Sequence, residues 1–165
     1  LVAGNHDICF KQWDTYLETF KTSVYYFIVE TPLKQKDLFI MYDSADGTLG
    51  KNQLKWLQNT LDWASKQNFR HIVAGSHTHF FMRDNSQGIA TNYSIEETYT
   101  LLRLFQSHGV DMLLTGHSHS REVTLYDELT CIIVDSMTDS DTKPAYLVAT
   151  MGEKIDYDFI PITKR

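Results

Sequence analysis

The chain has 165 residues, a one-domain length that can bury roughly 70% of its unfolded surface. Hydrophobic residues make up 42% and charged residues 22%, the balance of an ordinary globular domain, and no apolar stretch is long enough to span a bilayer. The net charge of −6 leaves no basic footprint for a phosphate backbone, which excludes nucleic acid as a bulk partner but leaves a small phosphate ester open to a cationic metal centre.

The opening segment Leu1-Val2-Ala3-Gly4-Asn5-His6-Asp7 reads as the end of a buried strand running into a polar turn. A start inside a core strand, without Met, reads as a piece of a longer protein. Residues 11–20 carry apolar side chains at 13, 16, 17 and 20, a helical spacing. Residues 24–29 are β-branched and aromatic and predict a strand that Pro32 stops. A hairpin-like loop at 34–37 leads to a second strand at 38–42, closed by the turn pair Asp46-Gly47.

Residues 50–66 predict a helix with Leu54, Leu57, Leu61 and Ala64 on one face, widened by the core residues Trp56 and Trp63. A short buried strand at 72–74 completes a strand-helix-strand unit. Ser94-Ile95-Glu96-Glu97 fits a capping box that opens a helix through Leu101, Leu102, Leu104 and Phe105, ended by Gly109. The next strand is 110–114. Beyond Arg121 the rhythm changes to short strands at 122–126, 130–134, 145–151 and 155–160, which predict an antiparallel meander on a mixed α/β core. The whole of 1–165 reads as one domain.

Two cysteines make neither a disulfide framework nor a zinc knuckle; Cys131 reads as a buried hydrophobe and so does Cys9, despite its place two residues past Asp7. Three segments carry the chemistry: Gly4-Asn5-His6-Asp7, Gly75-Ser76-His77-Thr78-His79 and Gly116-His117-Ser118-His119. Each follows a predicted strand, and ligands in open α/β sheets bind in the crevice outside the strand ends. Imidazoles with an amide oxygen suit Zn, Mn, Fe or Co better than Ca or Mg, which want mainly oxygen. Few carboxylates accompany them, so these residues do not fill two coordination shells. His71 and His108 read as structural, Arg83 as a solvated loop charge, and the run 135–141 as an acidic solvated loop.

The three segments, in this order, resemble the third, fourth and fifth motifs of the calcineurin-like metallophosphoesterases. The stretch from Asp43-Ser44 to Trp56-Leu57, with Gln53 before the Trp, resembles the family's connection between the third and fourth. The similarity covers essentially the whole chain. It implies an α/β fold, a β-sandwich flanked by helices, whose N-terminal part, with the D-x-H and G-D motifs, is missing. It implies two divalent or trivalent transition metal ions (Mn, Fe, Zn or Co), a bridging hydroxide and a small phosphate-ester substrate. Asn5, His77 and His117 would bind the second ion, and His119 would reach the first. His6 would be the general acid, oriented by Asp7. The chain alone would then be inactive, poorly occupied by metal and prone to self-association through exposed sheet edges. The family commonly has His-x-Pro where this chain has His77-Thr78-His79, and His79 reads as substrate-facing or structural, with the structural reading ahead.

Other zinc hydrolases also use His-x-His. A barrel amidohydrolase needs about 250 residues and carries the motif on its first strand; the lactamase-like pattern is broken by Ser120-Arg121. A non-catalytic binding or scaffold domain of the same fold is the third reading, against which Asp7 beside His6 argues for acid catalysis. No compartment is implied.

Overall fold

In the computed structural model, which describes residues 1–9, 12–80, 93–136 and 144–162, two strand-helix-strand units stand side by side. The elements are α1 (Asn5–Ile8), α2 (Gln12–Phe20), β1 (Tyr25–Glu30), β2 (Lys36–Met41), α3 (Gly50–Ala64), β3 (His71–Gly75), α4 (Ile95–Ser107), β4 (Met112–Thr115), β5 (Glu122–Tyr126), β6 (Leu129–Ile133), β7 (Ala145–Met151) and β8 (Ile155–Pro161). One six-stranded sheet has the order β1-β2-β3-β4-β6-β5, and β7 and β8 form a separate hairpin. Strands β2, β3, β4 and β6 are parallel, with β1 and β5 antiparallel at the edges.

Strand alternation sends successive side chains to opposite faces. Leu38, Ile40, Ile72, Ala74 and Leu113 meet Leu57, Leu61 and Ala64 of α3 and Leu101, Leu102 and Phe105 of α4. Phe39, Val73, Met112, Leu114 and Ile132 meet Leu147, Met151, Ile155, Tyr157 and Phe159 of the β7–β8 hairpin. The main sheet is therefore covered by helices on one face and by a second sheet on the other, a mixed α/β sandwich. Among the described residues no helix is long and apolar enough to cross a membrane.

Three expectations are corrected. Residues 1–4 join no strand; instead Asp7 N–H bonds Gly4 O at 2.9 Å while the Asp7 carboxylate accepts Gly4 N–H at 2.8 Å, and this reciprocal closure turns the chain into α1. The C-terminal strands are not a simple meander. The chain passes over one position to lay down β5 at the edge, then returns through Asp127 (φ 53°) so that β6 lies parallel to β4. The reason lies in burial: β6 is apolar toward both layers, with Leu129 and Cys131 on the helix side and Ile132 on the hairpin side, whereas β5 is only half-buried. Finally, β2 starts at Lys36 rather than 38, because Asp37 is drawn inside by a two-pronged contact with the Arg70 guanidinium.

The outer strand β1 leaves Tyr26, Phe27, Ile28 and Val29 each more than 40% exposed, with Tyr26 against Trp63 and Phe27 stacked on Phe39.

Candidate metal centre

Because β3 and β4 are adjacent and parallel, the loops that follow Gly75 and Thr115 leave the sheet at the same edge. They are tied together there: Ser76 N–H bonds Leu114 O at 3.0 Å, and Gly116 N–H bonds His77 O at 2.9 Å. Ser44, fully buried just beyond β2, anchors the same loop. Its hydroxyl oxygen accepts the N–H groups of His77 (3.1 Å) and Thr78 (2.8 Å), and Thr78 Oγ1 donates to Ser44 O at 2.7 Å. Gln53 holds the preceding residue in place, its amide oxygen accepting Asp43 N–H at 2.6 Å and its amide nitrogen donating to Asp43 O at 2.8 Å.

Onto this edge α1 brings Asn5. His77 Nε2 lies 2.9 Å from Asn5 Oδ1 and 3.0 Å from His117 Nδ1, with the two rings edge-to-face at a centroid distance of 4.9 Å. An amide oxygen can only accept, so in this pairing His77 Nε2–H donates and His117 Nδ1 accepts. Both distances from His77 Nε2 match those between neighbouring ligands of one ion: with metal–nitrogen distances of about 2.0–2.1 Å, such donors stand roughly 3 Å apart. Among the described residues no group of three His, Cys, Asp or Glu side chains is placed to hold an ion; the third donor here is an amide oxygen.

The electrostatics suit such a role. Burial, then the imidazole of His117, lower the His77 pKa to about 4, with Asp7 pulling the other way. Burial, then His119 and His6, lower His117. Metal binding needs neutral imidazoles, and both rings are kept neutral around pH 7. The depression also fixes a sign for stability. Above pH 6.5 His77 is neutral whether the chain is folded or not; as pH falls from 6.5 toward 4 the unfolded chain takes up the proton first, and stability is lost. Urea midpoints measured across that window are expected to fall more steeply in the parent than in His77→Gln.

The glycine of the first segment has a steric reason. A Cβ on Gly4 would stand 3.1 Å from both Cε1 and Nδ1 of His77, and one on Gly75 would stand 2.8 Å from Met41 Sδ. Gly116 has no such crowding, its nearest neighbour being 3.9 Å away.

The other candidates stand around this triad. His6 is exposed on α1, and Asp7 is engaged with Gly4 N–H. His119 is exposed, with His117 and His119 both in the left-handed region at φ 71° and 54°. His79 is buried, its ring centroid 6.2 Å from that of His117. His71 bonds Gly152 O at 3.0 Å, joining β3 to the hairpin, and His108 bonds Leu104 O and Asp62, joining α4 to α3; both are structural. Asp135, expected in a solvated loop, instead buries its carboxylate 3.1 Å from Arg121 Nε. Arg83 and residues 137–141 of the acidic run lie outside the described residues. Sequence reasoning assigned no role to Ser44 or to the Arg121–Asp135 pair. A hydroxyl two residues past a strand end was the available signal for the first, and the second had none.

The sequence profile of the calcineurin-like phosphoesterases matches residues 1–121. No curated protein matches the chain. Among solved structures, a dimetal phosphatase from Danio rerio is 12% identical with a TM-score of 0.65, over 97% of this chain and 68% of that one. GAP50, the anchor in the inner membrane complex of Plasmodium, is 17% identical with a TM-score of 0.56, over 81% of this chain and 42% of that one. The purple acid phosphatase PPD1 from yellow lupin seeds is 13% identical with a TM-score of 0.56, over 81% and 30%. At these identities the likeness is one of fold. The chain spans less than half the length of the Plasmodium and lupin proteins it matches.

Proposed function

The chain belongs to the calcineurin-like phosphoesterase family, and from that premise we propose that it is the metal-binding part of a metal-dependent phosphoesterase acting on phosphate esters. The observation that carries the proposal is the approach of Asn5 Oδ1 (2.9 Å) and His117 Nδ1 (3.0 Å) to His77 Nε2 at the carboxyl edge of the sheet. The finer reading is a dinuclear centre of Mn, Fe, Zn or Co. Asn5, His77 and His117 would hold one ion and His119 would reach toward the other. When bound, such a pair polarises phosphoryl oxygens and supplies the nucleophile.

The side chains of this chain do the rest in the proposal. His6, exposed on the same short helix that carries Asn5, donates the proton to the leaving oxygen. The Asp7 carboxylate fixes the helical turn through Gly4 N–H and sets an anionic field near the imidazoles, as its opposing pull on His77 indicates. The exposed apolar edge at β1 supports self-association as a further proposal.

The test is hydrolysis of p-nitrophenyl phosphate and of its bis-ester by the natural protein, before and after chelation and with each metal restored. Activity is expected to vanish on chelation and return with metal. His6→Gln is expected to lower kcat by about 10²–10⁴-fold while leaving metal affinity unchanged. Hydrolysis that survives complete removal of metal would refute the proposal, and an unchanged kcat in His6→Gln would remove the general-acid role.

A further inference from the structure

We propose that the Arg121–Asp135 ion pair is a positioning device for the candidate metal centre, pinning the 116–121 loop to the end of β6 and to the β7–β8 hairpin so that His117 and His119 present their rings where they do. The inference rests on these two histidines being metal donors and on no particular reaction.

The loop between Thr115 and Glu122 is short, and two of its non-glycine residues, His117 and His119, are held in the left-handed region. Side chains with a Cβ occupy that region only where surrounding contacts over-determine it. At its upstream end the loop is held by Gly116 N–H to His77 O, and at its centre by Ser118 N–H to Gly116 O, both 2.9 Å. Its downstream end is Arg121, two residues past His119. Arg121 Nε stands 3.1 Å from Asp135 Oδ2, a carboxylate only 1% exposed whose other oxygen accepts Ser136 N–H at 2.9 Å. That close contact is an ion pair rather than an aligned hydrogen bond, since among the described residues Oδ2 has no partner of hydrogen-bond geometry.

The guanidinium also lies 6.0 Å from the centroid of the Phe159 ring on β8. A planar guanidinium can face a carboxylate and an aromatic ring together, which an ammonium does less well. A buried carboxylate stripped of its cation is strongly unfavourable, so Asp135 keeps Arg121 at the sheet edge. Because β6 is the parallel neighbour of β4, Asp135 emerges at the same edge as the candidate donors. Another pair with a buried carboxylate, Arg70–Asp37, lies at the opposite edge, where β2 and β3 begin, and serves as a control.

The experiment compares Asp135→Asn, Arg121→Lys, Arg121→Ala and Asp37→Asn with the parent chain by amide hydrogen exchange and by zinc titration. Asp135→Asn and Arg121→Ala are expected to speed exchange at Ser118 and Ser120, and to weaken zinc binding, at least tenfold each, with exchange in β3 and β4 unchanged. Arg121→Lys is expected to recover part of both losses, and Asp37→Asn to lower the thermal midpoint without a selective effect on the loop. Unchanged loop exchange and zinc affinity in folded Asp135→Asn overturn the proposal, as does Arg121→Lys behaving like Arg121→Ala. Should Asp135→Asn fail to fold, the two Arg121 variants, at a side chain one-third exposed, decide alone. A parent chain that takes up no zinc overturns this inference. Zinc binding that responds to the variants as expected, in a protein that hydrolyses no phosphate ester, supports the inference and defeats only the catalytic reading.

Discussion

Replacing His77 with alanine is expected to abolish metal binding by this chain and with it any metal-dependent hydrolysis. Its Nε2 is the atom that both Asn5 Oδ1 and His117 Nδ1 approach, so its loss removes the common vertex of the triad. Loss of an outer partner of a metal ligand typically weakens affinity about 10–100-fold, and loss of a direct ligand should exceed that. The fold should survive. Among the described residues the partly buried side chain is bonded only within the triad, while its backbone is carried by Ser44 and by Gly116 N–H. Calorimetric titration with Zn²⁺ and Mn²⁺, alongside a circular dichroism spectrum, checks both halves. Parent-like affinity in a folded His77→Ala protein would show that the three atoms meet for a structural reason.

Phe105→Ala is expected to have the largest effect on stability, about 3–5 kcal/mol, a substantial part of the whole for a domain of this size. Phe105 is fully buried on α4, its ring 5.9 Å from that of Tyr42 and 6.2 Å from that of Phe80. Those two rings sit at the exits of the loops that carry Ser44 and His77, so the cavity should be felt at the metal centre as well as in the core. Denaturant unfolding should show the loss of stability, and hydrogen exchange at residues 76–79 should show protection falling below that of β4. A loss under about 1 kcal/mol would mean that the neighbouring rings close over the cavity.

Much of the fold was legible in the chain. The stripe Leu57, Leu61, Ala64 marks α3, and Leu101, Leu102, Phe105 marks α4, because one buried face of a helix imposes a 3.6-residue period on the residues that carry it. The Ser94 cap was also legible, its hydroxyl accepting Glu97 N–H at 3.2 Å. The Glu97 carboxylate was not. Instead of returning to its own helix it reaches Thr48 Oγ1 (2.9 Å) and Leu49 N–H (2.8 Å), satisfying the start of α3. Nothing within a few residues of Glu97 signals a helix end forty-eight positions earlier. The exchange of β5 and β6 was hidden for a related reason: both are short apolar runs joined by a tight turn, and local alternation does not say which of two such strands takes the inner place.

The sequence by itself determined which elements form and which chemistry they carry: three short segments with imidazole and amide donors, each beside a glycine, in an order that resembles one family. Periodicity and residue chemistry are local properties and can be read locally. Only the tertiary structure decided that Asn5, seventy-two positions before His77, closes the triad with His117, that Asp7 caps its own turn, and that Asp135 holds Arg121. Those meetings follow from β3, β4 and β6 lying in parallel and emptying their loops onto one edge, and strand order is set by how the whole apolar surface is buried rather than by any one segment.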